Sequence, residues 1–281
     1  MKILHIWNTA SHGTILSKEM NKYEDVVSKV IAGNLKNQSS SNDLIAIQYS
    51  KLRVAYGLWY ARDFDIINIH TIDRLVPLFK RIYPTKKVVL TYHGSEIRTN
   101  NYEGRSSIDL STGKRNQWHL REKYWVLADA IIVSTPDLLE GAPDNVHYVP
   151  APIDRSIWTR KKSYEEKTAI YTQNIWGKQG EADKIAYKWA NKNKINLCIL
   201  DKTKDVIPYQ NYPGFLEKFE YYIDVKQDLN GEILDSLSST ALQFLSLGGK
   251  VFHNNKVYKK FPKEADSINV AKKIFNIYSE K

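Results

Sequence analysis

The chain has 281 residues, 42% of them hydrophobic and 26% charged, and a formal net charge of +10. Its single cysteine, Cys198, excludes an internal disulfide and a cysteine-based zinc site, and it favours a reducing compartment such as the cytoplasm. No apolar stretch approaches the roughly 20 residues of a membrane-spanning helix, and the N-terminal apolar run is too short for a signal-peptide core. The positive charge favours phosphates, nucleic acid or a membrane surface as partners, but it is equally typical of a lysine-rich surface.

In the first 150 residues, short β-branched runs alternate with amphipathic segments, which predicts an α/β fold with a mostly parallel sheet. The predicted strands are 3–7, 43–48, 65–69, 87–92, 130–134 and 146–149. The predicted helices are 14–32, 52–61, 72–82 and 116–127. One more helix is predicted to begin at Pro136, with Thr135 as its N-cap.

Pro150 and Pro152 interrupt this pattern and predict a linker, after which the alternation starts again. The later predicted elements are strands 167–172, 196–200, 219–225 and 250–253 and helices 178–192, 235–247 and 263–279. We therefore predict an N-terminal Rossmann-like domain over 1–152, a C-terminal Rossmann-like domain over 153–262 and a terminal helical segment over 263–281. Open parallel sheets bind ligands at the carboxyl ends of their strands, so we expect the active site in a cleft between two facing sheets.

The first predicted strand runs into Ser11, His12 and Gly13 and then into a helix. Unpaired backbone N–H groups at such a helix start bind anions, although an ordinary strand-to-helix turn has the same pattern. With one glycine, the turn matches neither the dinucleotide fingerprint nor the P-loop, which argues against a dehydrogenase and an ATPase.

A second motif, LTYHGSEIR, places His93 at the end of a strand, with Gly94 next to it to let the backbone approach a ligand. Glu96 and Arg98 are close enough in sequence to orient that site or balance its charge. A core histidine bonded to the backbone is the alternative. The long polar stretch 99–115 that follows is predicted to be a lid.

Two motifs in the second half favour a phosphorylated ligand. Lys178 precedes a predicted helix, where its charge would join unpaired N–H donors to cradle a diphosphate, unless it is simply a solvated lysine. Asp235 and Gln243 are eight residues apart, which corresponds to two helical turns or to a turn followed by helix, and both would address one elongated ligand. Ser239 and Thr240 would cap that helix and contact a phosphate.

Taken in order, these segments resemble the GT-B glycosyltransferases of family 4, the retaining, nucleotide-sugar-dependent type, and especially its short archaeal-type members. The matching segments are IINIH, VVLTYHGSEIR, ADAIIVSTPDLLEGAP, VHYVPAPID and TALQFLSLGGKV. The resemblance implies two Rossmann-like domains whose sheets face across a cleft, with the terminal helix packed back on the first domain. It also implies metal-independent hexosyl transfer, with no cofactor, from a UDP-, GDP- or TDP-sugar to a glycan, lipid-linked or protein acceptor.

The resemblance assigns roles to the residues of the first domain. His93 matches the family's cleft histidine, which holds the donor sugar and supports transfer. The turn over 11–14 would line the cleft near the donor phosphates and the acceptor, and Glu96 stands where Asp is commoner.

On the donor side, Lys178 matches a lysine that offsets the diphosphate charge, and Lys226 or Arg98 would add to it. The family's Glu-x7-Glu pair falls on Asp235 and Gln243, which is the main departure from the family pattern. Asp235 is one methylene shorter than Glu, and Gln243 reaches ribose hydroxyls without a charge.

Three functions compete on this evidence. The first is the glycosyltransferase. In one version of it, the basic stretch 51–98 makes peripheral contact with an anionic membrane. The second is a nucleic-acid-modifying glucosyltransferase, which we disfavour because a phosphorylated donor explains the charge better. The third is a GT-B-fold binding protein with weak or no catalysis, motivated by the altered Asp235 and Gln243 pair.

Overall fold

A computed structural model describes residues 1–33, 44–47, 50–98, 116, 118–173, 179–201, 204–205, 207–226 and 233–280. The chain divides into two compact units. Unit 1 consists of Met1–Pro152 and Ser267–Lys281, and unit 2 of Ile153–Asp266. Of the helices in the described ranges, none has the length and apolar character that crossing a bilayer demands.

The described part of unit 1 contains a seven-stranded parallel sheet with the strand order β3-β2-β1-β4-β5-β6-β7. The strands are β1 (Lys2–Ile6), β2 (Val27–Ala32), β3 (Leu44–Ala46), β4 (Ile66–His70), β5 (Lys87–Tyr92), β6 (Ala130–Val133) and β7 (Val146–Tyr148). The helices among them are α1 (His12–Met20), α2 (Ser50–Ala61), α3 (Val76–Ile82), α4 (Ser95–Arg98) and α5 (Glu122–Trp125). Parallel strands joined by helices are the arrangement that the alternating pattern predicts.

The predicted helix over 14–32 is wrong in its second half, where the chain forms β2. Helix α1 ends at Met20, and the next residue, Asn21, accepts a hydrogen bond from the Ser28 N–H at 2.6 Å and donates one to the Ser28 carbonyl at 3.0 Å. These two bonds turn the chain back into the sheet. The β-branched residues that follow, Val30 and Ile31 among them, then fill the sheet core next to β1.

Two other helices in unit 1 also differ from prediction. The segment predicted as a helix over 116–127 contains a 3-10 turn, Trp118–Arg121, followed by the short α5. The helix predicted to begin at Pro136 is a single 3-10 turn, Pro136–Leu139, and Thr135 makes no side-chain cap bond to it.

The described part of unit 2 contains a five-stranded sheet with the order β12-β11-β10-β8-β9, parallel except for β12. Its strands are β8 (Glu165–Thr172), β9 (Asn196–Leu200), β10 (Phe219–Ile223), β11 (Lys250–His253) and β12 (Lys256–Tyr258). Its helices are α6 (Gln179–Lys192), α7 (Tyr212–Leu216) and α8 (Ser239–Ser246). The sequence predicts a helix over 235–247, whereas α8 begins four residues later, at Ser239. Ser238 is its N-cap, and its hydroxyl accepts a hydrogen bond from the Ala241 N–H at 3.1 Å.

The last helix, α9 (Ser267–Ser279), belongs to unit 1. Its apolar face, which includes Val270, Ile274 and Ile277, packs with α1 on one face of the seven-stranded sheet. Its far end is fixed by Tyr278, whose hydroxyl accepts a hydrogen bond from the Asn68 amide at 2.6 Å. Residue 68 lies on β4, so the end of the helix reaches the middle of the sheet.

Candidate functional site

In unit 1, the carboxyl ends of the neighbouring strands β1, β4 and β5 form one edge of the sheet. Each of these ends is followed within two residues by a residue with positive φ: Trp7 (68°), Thr71 (65°) and Gly94 (132°). Left-handed backbone is costly for residues other than glycine, and it concentrates at functional sites. This edge is therefore the candidate site of unit 1.

Three histidines form a hydrogen-bonded row along that edge. The Nδ1 of His5 lies 3.0 Å from the Nε2 of His70, and the Nδ1 of His70 lies 3.1 Å from the Nε2 of His93. The row follows from strand register. His5 pairs with Asn68, and His70 lies two residues after Asn68; His70 pairs with Thr91, and His93 lies two residues after Thr91. Residues two positions apart in a strand share a face of the sheet, so the three rings lie side by side.

A fourth histidine, His12 at the start of α1, packs its ring against His93 edge to face, with 4.4 Å between ring centroids. Burial lowers the pKa of His5 to about 3 and that of His12 to about 4. Burial also holds the pKa of His70 and of His93 well below the ordinary value, with neighbouring histidines adding to the shift. All four rings are therefore neutral at pH 7, and the described residues contain no group arranged to hold a metal ion.

The turn between β1 and α1 is organised by Asn8. The Asn8 Oδ1 accepts the Thr14 N–H at 3.0 Å, and its Nδ2 donates to the Thr14 Oγ1 at 3.2 Å. The side chain of Asn8, and not that of the N-cap residue Ser11, thus caps the helix. The Thr14 N–H, one of the donors expected to bind an anion, is therefore already bonded. A Cβ on Gly13 would lie 3.1 Å from the Asn8 Oδ1, so the turn is closely packed.

Glu96 and Arg98, predicted to balance charge near His93, are both engaged within unit 1. The Glu96 carboxylate accepts the Gly94 N–H at 2.8 Å, and burial raises the pKa of Glu96. The Arg98 guanidinium donates to both carboxylate oxygens of Asp137, at 2.7 and 2.8 Å, and to the Thr135 hydroxyl at 2.7 Å. The Thr135 hydroxyl thus binds Arg98 and makes no cap bond to the turn that follows.

In unit 2, the carboxyl ends of β10 and β11 meet the start of α8. The Asp224 carboxylate accepts the Ser238 N–H at 2.8 Å, and the His253 Nδ1 donates to the Asp224 carbonyl at 2.7 Å. The Asp224 Oδ1 and the His253 Nε2 are buried and have no hydrogen-bond partner among the described residues. Sequence reasoning missed both residues, although each stands at the end of a predicted strand.

The predicted donor residues of unit 2 fall around α8. Ser239 and Thr240 lie in its first turn, and the buried Gln243 lies one turn further. Asp235 precedes the helix, is exposed, and accepts a bond from the Asn254 amide at 2.6 Å. Asp235 and Gln243 are therefore separated by a turn followed by helix, the second of the two predicted spacings, and not by two helical turns.

Lys226 follows β10, and its carbonyl accepts the Leu234 N–H at 2.9 Å. Lys178 and the predicted lid over 99–115 lie outside the described residues. A cavity of about 640 Å³ opens over Trp189 and Phe252 of unit 2. Within the described residues, none of the predicted site residues lines it.

No protein-family model and no curated protein sequence matches the chain. Solved structures match it at low identity. AviGT4, a glycosyltransferase involved in avilamycin A biosynthesis, aligns with a TM-score of 0.57 at 9% identity and covers 98% of this chain and 96% of its own. An alpha-glucosyltransferase in complex with UDP and a 13-mer DNA aligns with a TM-score of 0.50 at 15% identity, over 100% of this chain and 90% of its own.

A UDP-GlcNAc 2-epimerase from Neisseria meningitidis, bound to UDP-GlcNAc, aligns with a TM-score of 0.48 at 13% identity, over 99% of this chain and 91% of its own. The likeness to AviGT4 shows the fold, and it confirms the fold class expected from the sequence: α/β, with two mostly parallel Rossmann-like sheets of the GT-B type.

Proposed function

We propose that this protein is a glycosyltransferase that moves a hexose from a nucleoside diphosphate sugar to a glycan, lipid-linked or protein acceptor. The observation that carries the proposal is the fold, which matches a glycosyltransferase, AviGT4, over nearly the whole of both chains. The row of histidines supports it, because His93 lies at the sheet edge where open α/β folds bind ligands. We assign the acceptor side to unit 1 and the donor side to unit 2.

The proposed chemistry is retaining transfer without a metal ion, in which positioning and charge compensation lower the barrier. The Arg98 charge is already balanced by Asp137. We therefore assign compensation of the diphosphate charge to Lys178, Lys226 and the start of α8, with Ser239 and Thr240 on a phosphate. Gln243 would bind the ribose, and Asp235 the donor sugar.

A thermal-shift screen against UDP-, GDP- and TDP-sugars tests the donor. A ligand at about 100 times its Kd stabilises the folded state by about 2.7 kcal/mol, which gives a clear rise in Tm. We expect one nucleotide class to produce that rise and the His93→Ala variant to lose sugar transfer, whereas His147→Ala, on β7, keeps it. A chain that no sugar nucleotide stabilises would contradict the donor assignment.

Product analysis tests the finer chemistry. We expect the anomeric configuration of the donor to be preserved in the product, by NMR of the initial product, and activity to persist in EDTA. An inverted product, or loss of activity restored by Mg²⁺, would overturn these two assignments while leaving the glycosyltransferase proposal in place.

A nucleic-acid acceptor is the second candidate, motivated by the net charge of +10 and by the similar fold of an alpha-glucosyltransferase in complex with UDP and DNA. Transfer of radiolabelled sugar to duplex DNA, weakened by raising the salt concentration, would support it. Donor turnover that DNA leaves unchanged would exclude it. Stabilisation by a sugar nucleotide without hydrolysis or transfer would instead favour a non-catalytic binding protein.

A lipid-linked acceptor would require contact with a membrane surface. Helix α2 carries exposed Leu52 and Trp59, and the Arg62 guanidinium stacks over the Trp59 ring at 4.4 Å. Apolar and cationic side chains in one exposed region suit an anionic bilayer. Co-sedimentation with anionic vesicles that is lost in a Trp59→Ser variant would support this acceptor class, and equal pelleting with neutral and anionic vesicles would argue against it.

A further inference from the structure

The row of histidines in unit 1 ends in two ring nitrogens without partners. These are the Nε2 of His5 and the Nδ1 of His93, both buried and unbonded within the described part of the chain. His70, between them, uses both of its nitrogens. Residue 5 is fully buried in the sheet, whereas residue 93 is partly exposed at the sheet edge, although its Nδ1 is itself covered.

A row of neutral imidazoles has a direction. Each neutral ring carries one N–H and one bare nitrogen, so each ring donates to one neighbour and accepts from the other. If the His5 Nδ1 donates to His70, then the His70 Nδ1 must donate to His93, and the His93 Nδ1 must carry the remaining proton. If the row runs the other way, the His93 Nδ1 is bare and the N–H is left on the His5 Nε2.

The two directions differ in whether the Nε2 of His5 is a bare nitrogen or an N–H group. An unpaired N–H in an enclosed position is among the rarest features of folded proteins, and an under-satisfied acceptor is less so. The first direction leaves a bare nitrogen on the fully buried His5 and places the N–H on His93, the residue of the two that is partly exposed at the sheet edge.

We propose that His5 and His70 are positioning residues that fix the tautomer of His93, so that its Nδ1–H is a neutral hydrogen-bond donor at the candidate site. In this state His93 donates to an oxygen atom of the ligand and does not act as a base, because its Nε2 lone pair is occupied by His70. A neutral imidazole that donates a hydrogen bond is an established way to stabilise charge developing on oxygen.

The identity of that oxygen rests on the proposed function: for a sugar nucleotide it is a sugar hydroxyl or a phosphate oxygen. The tautomer assigned to His93 does not depend on the proposed function. The two can therefore be tested separately, one by spectroscopy on the protein alone and one by turnover.

The first test is long-range ¹H–¹⁵N correlation NMR on the full chain labelled at histidine, which distinguishes pyrrole-type from pyridine-type ring nitrogens. At pH 7 we expect pyrrole-type Nδ1 and pyridine-type Nε2 signals for His93 and His70. Resonances are assigned by single His→Gln variants. A protonated Nε2 on neutral His93, or a doubly protonated ring, would overturn the proposal.

The second test changes the distant end of the row. In His5→Leu the donor to His70 is lost, so we expect His93 to show a mixture of both tautomers, whereas His5→Asn keeps an N–H donor near the Nδ1 position and restores the single tautomer. His147→Gln, on β7 of the same sheet, serves as the matched control. An unchanged His93 tautomer in a folded His5→Leu protein would contradict the proposal.

Turnover completes the test. Because only part of the His5→Leu population retains the donor, we expect kcat/KM to fall about three- to tenfold, with His5→Asn recovering it. If the wild-type tautomer is as expected but no sugar nucleotide is turned over, the proposed function fails and the tautomer assignment stands. Full activity in a His5→Leu protein with mixed tautomers would overturn the positioning role.

Discussion

Gly94 shows how one residue shapes the candidate site. Its φ of 132° is outside the range that side chains tolerate, and a Cβ at this position would collide with the Nη1 of Arg98. The guanidinium is in turn held by Asp137. Gly94 therefore leaves room for the Arg98 side chain beside the backbone that follows His93. The sequence instead predicts that this glycine lets the backbone approach a ligand.

We expect Gly94→Ala to lower the free energy of unfolding by about 2–3 kcal/mol, since backbone strain and the displaced Arg98 both add to the cost. Urea unfolding measures this value. Gly141→Ala is the matched control, because its φ of 69° also strains a side chain while, apart from its chain neighbours, no atom of the described residues lies within 4 Å of the new Cβ. Equal losses in the two variants would show that the Arg98 contact contributes nothing.

The histidines also show the limit of reading single residues. The place of His93 at a strand end predicts its role from the sequence. The association of His5 and His70 with it depends on the register of three strands that are far apart in the sequence. A signal was present: polar residues alternate with apolar ones at the ends of β4 and β5, as Asn-Ile-His and Thr-Tyr-His. Such alternation on a buried sheet face predicts a polar row rather than a core.

At the level of elements, the start of α8 is set by a single hydroxyl. Ser238 caps the helix, and its own N–H is bound by Asp224. We expect Ser238→Ala to cost about 1 kcal/mol, the usual value of an N-cap, and Ser239→Ala, one residue into the helix, to cost much less. Chemical denaturation of both variants measures the difference. A larger loss for Ser239→Ala would mean that the cap lies one residue later.

Most elements could be predicted from the sequence, and the exceptions have physical causes. Strands 87–92, 196–200 and 250–253 match the predicted bounds, since a short, mostly apolar run with polar residues at its ends leaves little choice. Strand β2 was missed because the apolar spacing of α1 continues into it. Its boundary depends on the side-chain bonds of Asn21 to Ser28, which sequence periodicity does not reveal.

At the scale of the whole molecule, unit 1 is built from two separate stretches of the chain. The face of the sheet that contains Ile3 and Val89 is covered in part by α9, more than 100 residues after β7. We expect Ile274→Ala, which opens a cavity at a residue 2% exposed, to cost about 2–5 kcal/mol. Ile268→Ala, at 57% exposed, is the control and should be close to neutral in thermal unfolding.

The neutral histidines also tie the stability of unit 1 to pH. In the unfolded chain these imidazoles titrate near pH 6.5, whereas the pKa of His5 falls to about 3 and that of His12 to about 4 in the folded state. The unfolded state therefore binds more protons below pH 6.5, and stability that is complete above pH 7 is lost as the pH falls. Each such group contributes at most about 1.4 kcal/mol per pH unit.

Urea midpoints at pH 7.5, 6.5 and 5.5 test this dependence. The raised pKa values of Glu96 and Asp73 act in the opposite direction, so the comparison with a histidine variant isolates the contribution of the imidazoles. We expect a decline of the midpoint that is shallower in the His5→Leu variant, which has one fewer group to protonate. Equal slopes in the wild type and in His5→Leu would show that folding does not lower the pKa of His5.

The discontinuity of unit 1 has a consequence for biosynthesis. Residues of unit 2 leave the ribosome as one uninterrupted segment, so that unit can fold while translation continues. The sheet of unit 1 is synthesised earlier, but α9 is synthesised last. Until then, the face of the sheet that contains Ile3 and Val89 is incompletely covered. Nascent chains stalled before residue 267 should therefore be the species that molecular chaperones capture.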